Sequence, residues 1–265
     1  MTGWRRRWSS EGDRARRARI SNAGGATATL GLAAAFAFGL VSAPAAAPAC
    51  TRTWDGGAGT TVWSTAANWS PDGVPAATDH VCIPAGATVV HSTGSSSVLT
   101  IQSAGRLTLS SGTLALTDTG NDSRVADFTQ SGGTLAGAGV LRVEGVLRWT
   151  GGFQVDAGRT VIAVGGSAVI DSGGGNSVFL EDGRQLDNEG TLDWVSGHIR
   201  LGFASTPVRI NNSGRFQLAD GNSVFRWTGA GLDPQLHNQV GGLMIKANGV
   251  SATTVNVPYD NDGTL

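Results

Sequence analysis

Polar and apolar residues alternate in short runs along most of the chain after residue 85. In residues 191–194, and again in residues 215–218, the second and fourth positions are apolar and the other two are polar. A period of two is the pattern of a β-strand that buries one face. No run after residue 50 has the spacing of an amphipathic helix, so the pattern predicts an all-β fold.

A short unit that places an asparagine just before a glycine precedes several of these strands. Its glycines, at positions 190, 214, 241 and 263, are separated by 24, 27 and 22 residues. A period of about 20 to 30 residues is typical of stacked repeats. It predicts a single-stranded parallel β-helix (a β-solenoid) in which each coil pairs with the next. Like residues then lie above one another, and we expect an amide ladder of Asn188, Asn212, Asn238 and Asn261.

Two further motifs repeat along the chain. Gly-x-Leu occurs five times between residues 105 and 147, ending at Leu107, Leu114, Leu135, Leu141 and Leu147. A tryptophan followed closely by glycine recurs at Trp149, Trp194 and Trp227. We expect these tryptophans to fill the core or its corners. The alternative is an exposed row of rings that stacks on sugars.

Composition and charge narrow the function classes. The chain has 40 glycines, but they have no three-residue period, which excludes a collagen-like triple helix. Only 15% of its residues are charged, and the regular alternation of apolar residues argues against intrinsic disorder. Seven of the 19 basic residues lie before residue 50. The mildly acidic remainder gives no reason to expect nucleic-acid binding.

Residues 1–49 have the features of an export signal: a basic start, an apolar alanine-rich run near residues 28–41, and small residues up to Ala49. We expect the mature protein to be secreted or held at the cell surface, with no membrane span after cleavage. An uncleaved anchor and a lipoprotein modified at Cys50 are the alternatives. Arg16 and Arg17 form the pair found in twin-arginine signals, but the Phe-Leu-Lys that usually follows such a pair is absent.

The two cysteines, Cys50 and Cys82, follow the signal. An exported chain meets oxidising conditions, so a disulfide between them is expected. The four histidines are scattered and have no metal-ligand spacing to either cysteine. We therefore expect no metal and no cofactor.

Residues 50–84 differ from the rest because three tryptophans lie within sixteen residues. The segments Trp54-Asp55-Gly56-Gly57 and Asn68-Trp69, the run 71–75 (PDGVP), and Val81-x-Ile83-Pro84 resemble the start of bacterial secreted or surface β-helix proteins of the pectin-lyase-like and adhesin-like type. The resemblance implies that this segment shields the first coil. It also implies an extracellular setting, and it brings no catalytic residue with it.

Residues 85–265 are predicted to be the coils. The repeat is interrupted at Leu265, so we expect further C-terminal coils in the full protein. Catalysis in a β-helix would need clustered carboxylates or a basic residue near them. Two sets could converge, but acids in glycine-rich turns are usually solvated, and no catalytic residue is predicted. The sets are Asp118, Asp122 and Asp127, and Glu144, Asp171 and Asp193.

The sequence thus favours a non-enzymatic extracellular β-helix with a structural or adhesive role, whose partner could be a cell-surface or extracellular polysaccharide. A polysaccharide-active β-helix enzyme is the first alternative. It would require three carboxylates, or acids with an arginine, on one outward face. A carbohydrate-binding module using exposed tryptophans is the second.

Overall fold

The structure is a computed structural model that describes residues 47–202, 205–219, 221, 223–226, 231–246 and 251–265. Residues 1–46 of the predicted export signal and Trp227 lie outside the described residues. The described residues contain one short 3-10 helix, Ala66–Asn68, and otherwise strands and turns. None of their helices is long and apolar enough to cross a membrane.

The first strands in chain order are β1 Arg52–Trp54, β2 Trp69–Ser70, β3 His80–Ile83, β4 Thr88–His91, β5 Ser95–Val98, β6 Thr100–Leu109, β7 Thr113–Leu116, β8 Ser123–Gln130, β9 Thr134–Ala136, β10 Val140–Trp149, β11 Phe153–Gln154 and β12 Arg159–Ile162. The later strands are β13 Ser167–Asp171, β14 Ser177–Leu180, β15 Gln185–Asn188, β16 Thr191–Ser196, β17 His198–Leu201, β18 Arg209–Asn212, β19 Arg215–Leu218, β20 Ser223–Arg226, β21 Gln235–Asn238, β22 Leu243–Lys246, β23 Thr254–Asn256 and β24 Tyr259–Asn261.

These strands stack in parallel as a β-solenoid of about eight turns, which confirms the predicted fold class. Each turn contributes strand to three faces. The first face holds β3, the first halves of β6, β8 and β10, then β12, β15, β18, β21 and β24. The second holds β4, the second halves of the same three long strands, then β13, β16, β19 and β22. The third holds β5, β7, β9, β11, β14, β17, β20 and β23.

Turns one to eight begin at β3, β6, β8, β10, β12, β15, β18 and β21. Most inward positions are apolar because the three faces enclose one continuous core. All five Gly-x-Leu leucines belong to that core. So do Trp149 and Trp194, and the predicted core role of these two tryptophans is confirmed. The alternative, an exposed row of tryptophans, is excluded for these two because their rings point inward.

A chain of polar side chains also crosses the core at turns three to five. Gln154 donates to the amide oxygen of Gln130 at 3.0 Å and accepts from the Thr160 hydroxyl at 2.7 Å. Arg184 then donates to the same hydroxyl at 3.0 Å and to the Gly137 carbonyl at 3.2 Å. Burial lowers the pKa of Arg184 to about 9, because the core cannot solvate its charge as water does.

The three tryptophans near the start of the described chain form a compact cluster. Trp69 packs edge-on against Trp54 and Trp63, with both ring-centroid distances at 4.9 Å. Its indole N–H donates to the Trp63 carbonyl at 2.8 Å. Asn68 is buried beside them and donates to the Val62 carbonyl at 3.1 Å. All three rings are therefore core residues, and not sugar platforms.

This cluster covers two of the three faces of turn one. On the first face, β1 pairs with β3, and β2 then pairs antiparallel with β1. On the second face, Trp63 donates its backbone N–H to the Val90 carbonyl at 2.9 Å. On the third face β5 is the edge strand of its sheet, and three consecutive serines (95–97) make that edge polar. Covering or polarising an edge protects it from pairing with other chains.

A disulfide ties this segment to the solenoid. Cys50 and Cys82 are bonded, with their Cα atoms 5.7 Å apart, which confirms the predicted pair. Cys82 lies in β3, and β3 pairs with β6. The predicted segment 50–84 thus contains both the covering strands and the first strand of turn one.

Candidate functional site

The corner between the first and second faces changes shape along the solenoid. In turns one and five the chain leaves the first face through four-residue turns, 84–87 and 163–166. They are closed by hydrogen bonds from Ala87 N–H to Pro84 at 3.2 Å and from Gly166 N–H to Ala163 at 2.8 Å. In turns two to four β6, β8 and β10 pass through the corner without such a turn. The corner is therefore recessed between two protruding turns.

Small residues form the floor of this recess because the backbones stack closely there. A Cβ on Gly105 would lie 2.6 Å from the Ala87 and Pro84 carbonyl oxygens. A Cβ on Gly145 would lie 2.5 Å from the Ala126 carbonyl oxygen. Glycine is thus required at both positions by close approach of the neighbouring turn.

Charged side chains line the recess. Arg124 and Arg142 occupy paired positions on β8 and β10 and both point outward. Together with Ala163 and Val164, five charged residues surround an open depression of about 430 Å³ that we call the charged groove: Asp122, Arg124, Arg142, Glu144 and Glu189. A second depression of about 410 Å³ continues it towards turn one and shares Arg124 and Glu144.

Every carboxylate of the charged groove is bonded to an arginine on another turn. Arg142 lies 2.8 Å from Glu189 and 3.4 Å from Asp122. Arg124 lies 2.8 Å from Glu144. The hydrogen bond to Glu189 raises the pKa of Arg142 and outweighs the opposing effect of its burial. These pairs are partly exposed, so each contributes about 1 kcal/mol or less, but together they cross-link turns two to six.

The structure separates the first predicted acid set. Asp118 accepts hydrogen bonds from the Gly120 backbone and from Asn121, and these bonds lower its pKa, with the Asn121 side chain as the largest cause. Asp122 belongs to the charged groove. Asp127 lies 4.0 Å from Arg106 on the second face. The three carboxylates therefore have different partners and do not converge.

The second predicted set is separated as well. Glu144 lies in the charged groove. Asp171 accepts a hydrogen bond from Ser196 at the end of the second face, and Asp193 lies 3.3 Å from Arg215 within it. The residues that do converge were missed by sequence reasoning. Arg142 and Glu189 are 47 positions apart and meet only because β10 is followed by two stacked turns.

A partly exposed aromatic stack on the third face was missed too. The Phe153 and Phe179 rings are parallel within 17°, with centroids 4.4 Å apart, and the Arg200 guanidinium lies 5.6 Å from the Phe179 centroid. The ring faces are thus directed along the stack, towards each other and towards the arginine. A flat sugar platform would need those faces directed outward, so this stack ties turns together.

The chain matches no protein-family model, no curated protein and no solved structure. What it shares with β-helix proteins is the stacked parallel architecture described above.

Proposed function

We propose that this protein is a non-enzymatic, extracellular β-solenoid that acts as a structural or adhesive segment at a bacterial cell surface. The observation that carries the proposal is the pairing of each groove carboxylate with an arginine of another turn. Each of these charges already has a partner on another turn, and the pairs hold the stack together. Parallel strands stacked continuously along three faces are suited to a structural segment that holds other parts of a protein apart.

The extracellular setting has separate support. The Cys50–Cys82 disulfide joins the covering segment to β3, and structural disulfides persist mainly in oxidising compartments. Together with the leader-like residues 1–49, this favours export. Expression of the full chain in a bacterial host, followed by protease treatment of intact cells, tests it. Export would be contradicted if the protein survived protease treatment of intact cells, was recovered in the cytoplasmic fraction, and had Cys50 and Cys82 as free thiols.

A second candidate is a polysaccharide-active protein that uses the charged groove. It is favoured by the convergence of three carboxylates and two arginines around one open depression. Arginine and carboxylate side chains are suited to hydrogen-bonding sugar hydroxyls and acid groups. In this candidate a bound sugar replaces the contacts between Arg142 and Glu189.

One experiment separates the two. The full chain is incubated with plant, microbial and host polysaccharides, and retention and chain cleavage are measured in the same tubes. Under the first candidate no polysaccharide is cleaved, with or without retention. Cleavage that is lost in Glu189→Gln and kept in Asp193→Asn, a half-buried acid paired with Arg215 on the second face, would establish the second candidate and overturn the first.

Retention without cleavage distinguishes adhesion from a purely structural role. If the charged groove is the adhesive surface, Arg142→Met abolishes retention and Arg215→Met, on the second face, does not. If both variants are retained equally, adhesion uses another surface of the solenoid.

A further inference from the structure

Three side chains with metal-binding atoms converge on the outward side of the first face, far from the charged groove along the chain. His237 lies in β21, and Asp260 is its paired residue in β24. Asp262 follows in the turn after β24. One ligand atom of each residue lies within 4.8 Å of the other two. The strands β21 and β24, with the turn that follows β24, therefore supply an imidazole and two carboxylates to one point.

The spacing fits a small divalent ion. At a tetrahedral zinc site with bonds of about 2.0–2.1 Å, neighbouring ligand atoms are about 3.3 Å apart. The His237 Nε2 atom already lies 3.1 Å from Asp262 and 3.9 Å from Asp260. To close this set on an ion, the Asp260 carboxylate must approach His237 from 3.9 Å, and this carboxylate is exposed to solvent.

We propose that His237, Asp260 and Asp262 bind one divalent transition-metal ion of the zinc class. Imidazole nitrogen combined with carboxylate oxygen favours such an ion. Calcium and magnesium prefer six or more oxygen ligands, and the imidazole contributes none. Three protein ligands leave the remaining position to water.

Binding replaces a proton with the ion. In the present geometry the His237 Nε2 atom shares a hydrogen bond with Asp262 at 3.1 Å. To bind the metal, Nε2 must offer its lone pair, so its proton moves to Nδ1 or is released to water. The ion then joins β21 to β24 and stabilises the folded state by linkage, because the unfolded chain has no preformed site.

The test is titration of the full, metal-free chain with Zn²⁺ by calorimetry, and with Co²⁺ by visible absorption. We expect one Zn²⁺ per chain, a rise in the melting temperature with Zn²⁺, and Co²⁺ bands typical of low coordination. His237→Ala and Asp262→Asn should each weaken binding about tenfold or more. Calcium at the same concentration should leave the melting temperature unchanged.

Two control variants make the result specific. His80→Gln removes an imidazole that is hydrogen-bonded to Thr100, and Asp193→Asn removes a half-buried carboxylate that is paired with Arg215. Both should bind Zn²⁺ as the unmodified chain does. Absence of zinc binding by the unmodified chain overturns the proposal, and so does equal binding by Asp262→Asn with an unchanged circular dichroism spectrum.

Discussion

One inward-facing position at the end of each first-face strand is occupied differently in the two halves of the solenoid. In turns one to five it is mostly apolar: Ile83, Ser103, Val125, Val143 and Ile162. From turn six onward it is always asparagine: Asn188, Asn212, Asn238 and Asn261. The same backbone stack is thus filled by dispersion contacts in one half and by hydrogen bonds in the other.

The asparagines form the ladder that the sequence predicted. Each Nδ2 atom donates to the next Oδ1 at 2.7 Å, from Asn188 to Asn212, Asn238 and Asn261 in turn. A second bond reaches the backbone carbonyl that opens the neighbouring second-face strand, as from Asn188 to Arg215 at 2.9 Å. Because every amide is both donor and acceptor, an identical neighbour satisfies it at the strand spacing.

The boundary between the halves leaves one atom without a partner. The Asn188 Oδ1 atom is buried and has no hydrogen bond among the described residues, because Ile162 above it is a hydrocarbon. A ladder has an open acceptor at its first member for this reason. Asparagine should therefore be tolerated where a ladder neighbour exists and be costly where it does not.

The largest expected effect is that of an isolated asparagine. Val143→Asn places an amide between Val125 and Ile162, neither of which can bond it. We expect a loss of about 4 kcal/mol in the free energy of unfolding, from desolvation of the amide and lost packing. Urea denaturation measures this. Val169→Asn, at an outward and half-buried position, is the control and should cost about 1 kcal/mol or less.

Breaking the ladder in its middle should be the next largest effect. Asn212→Ala leaves the Asn188 donor and the Asn238 acceptor without their 2.7 Å partners in a buried column. We expect a loss of about 3 kcal/mol in unfolding free energy. Asn211→Ala, whose side chain points outward to Asp187, should cost much less. Equal losses in the two variants would show that the ladder contributes nothing special.

The covering segment at the start of the solenoid is held by a charged group instead, the Asp79 carboxylate with its partners Thr51 and Arg52. Burial opposes the ionisation of Asp79, but hydrogen bonds from the Ala76 backbone and Thr51, together with the Arg52 charge, outweigh it and lower the pKa of Asp79. Its stabilisation is therefore fully present above the unfolded pKa of about 4 and is lost as pH falls through the lower folded value.

Asp79→Asn tests the role of this carboxylate. At pH 7 the free energy of unfolding of the variant should be about 2 kcal/mol lower than that of the unmodified chain. This difference in unfolding free energy should shrink below about pH 4. Thermal unfolding from pH 7 to pH 2 follows it, with Asp72→Asn on an exposed turn as the control. If the difference in stability did not change with pH, the loss would come from altered packing or hydrogen bonding and not from the charge of Asp79.

The smallest effect is expected from extending the ladder. Ile162→Asn supplies a donor to the open Asn188 oxygen, and the open acceptor moves up to the newly introduced amide, so unsatisfied atoms do not increase. The four-residue turn after position 162 is compatible, since Asn238 precedes a turn of the same length. We expect a loss of about 1 kcal/mol, chiefly from the removed apolar packing. A loss as large as that of Val143→Asn would contradict the neighbour rule.

Much of the fold could be predicted because it is a local pattern repeated. Asn188 and its counterparts identified the period, and strand spacing then required them to stack. The cysteine pair could be predicted because only two cysteines exist. The covering strands β1 and β2 could not be predicted, because the pairing of β1 with β3 and of β2 with β1 joins residues that no repeat relates.

The sequence by itself determined the alternation, the repeat, the inward side of each strand and the composition of the ladder, because these follow from a period of two and from identical neighbours. Only the tertiary structure decided which outward residues meet. Arg142 reaches Glu189, and His237 reaches Asp262, because the lengths of the intervening turns fix the register between stacked coils. Those lengths vary from turn to turn, so outward neighbours are set by the accumulated register and not by any local motif.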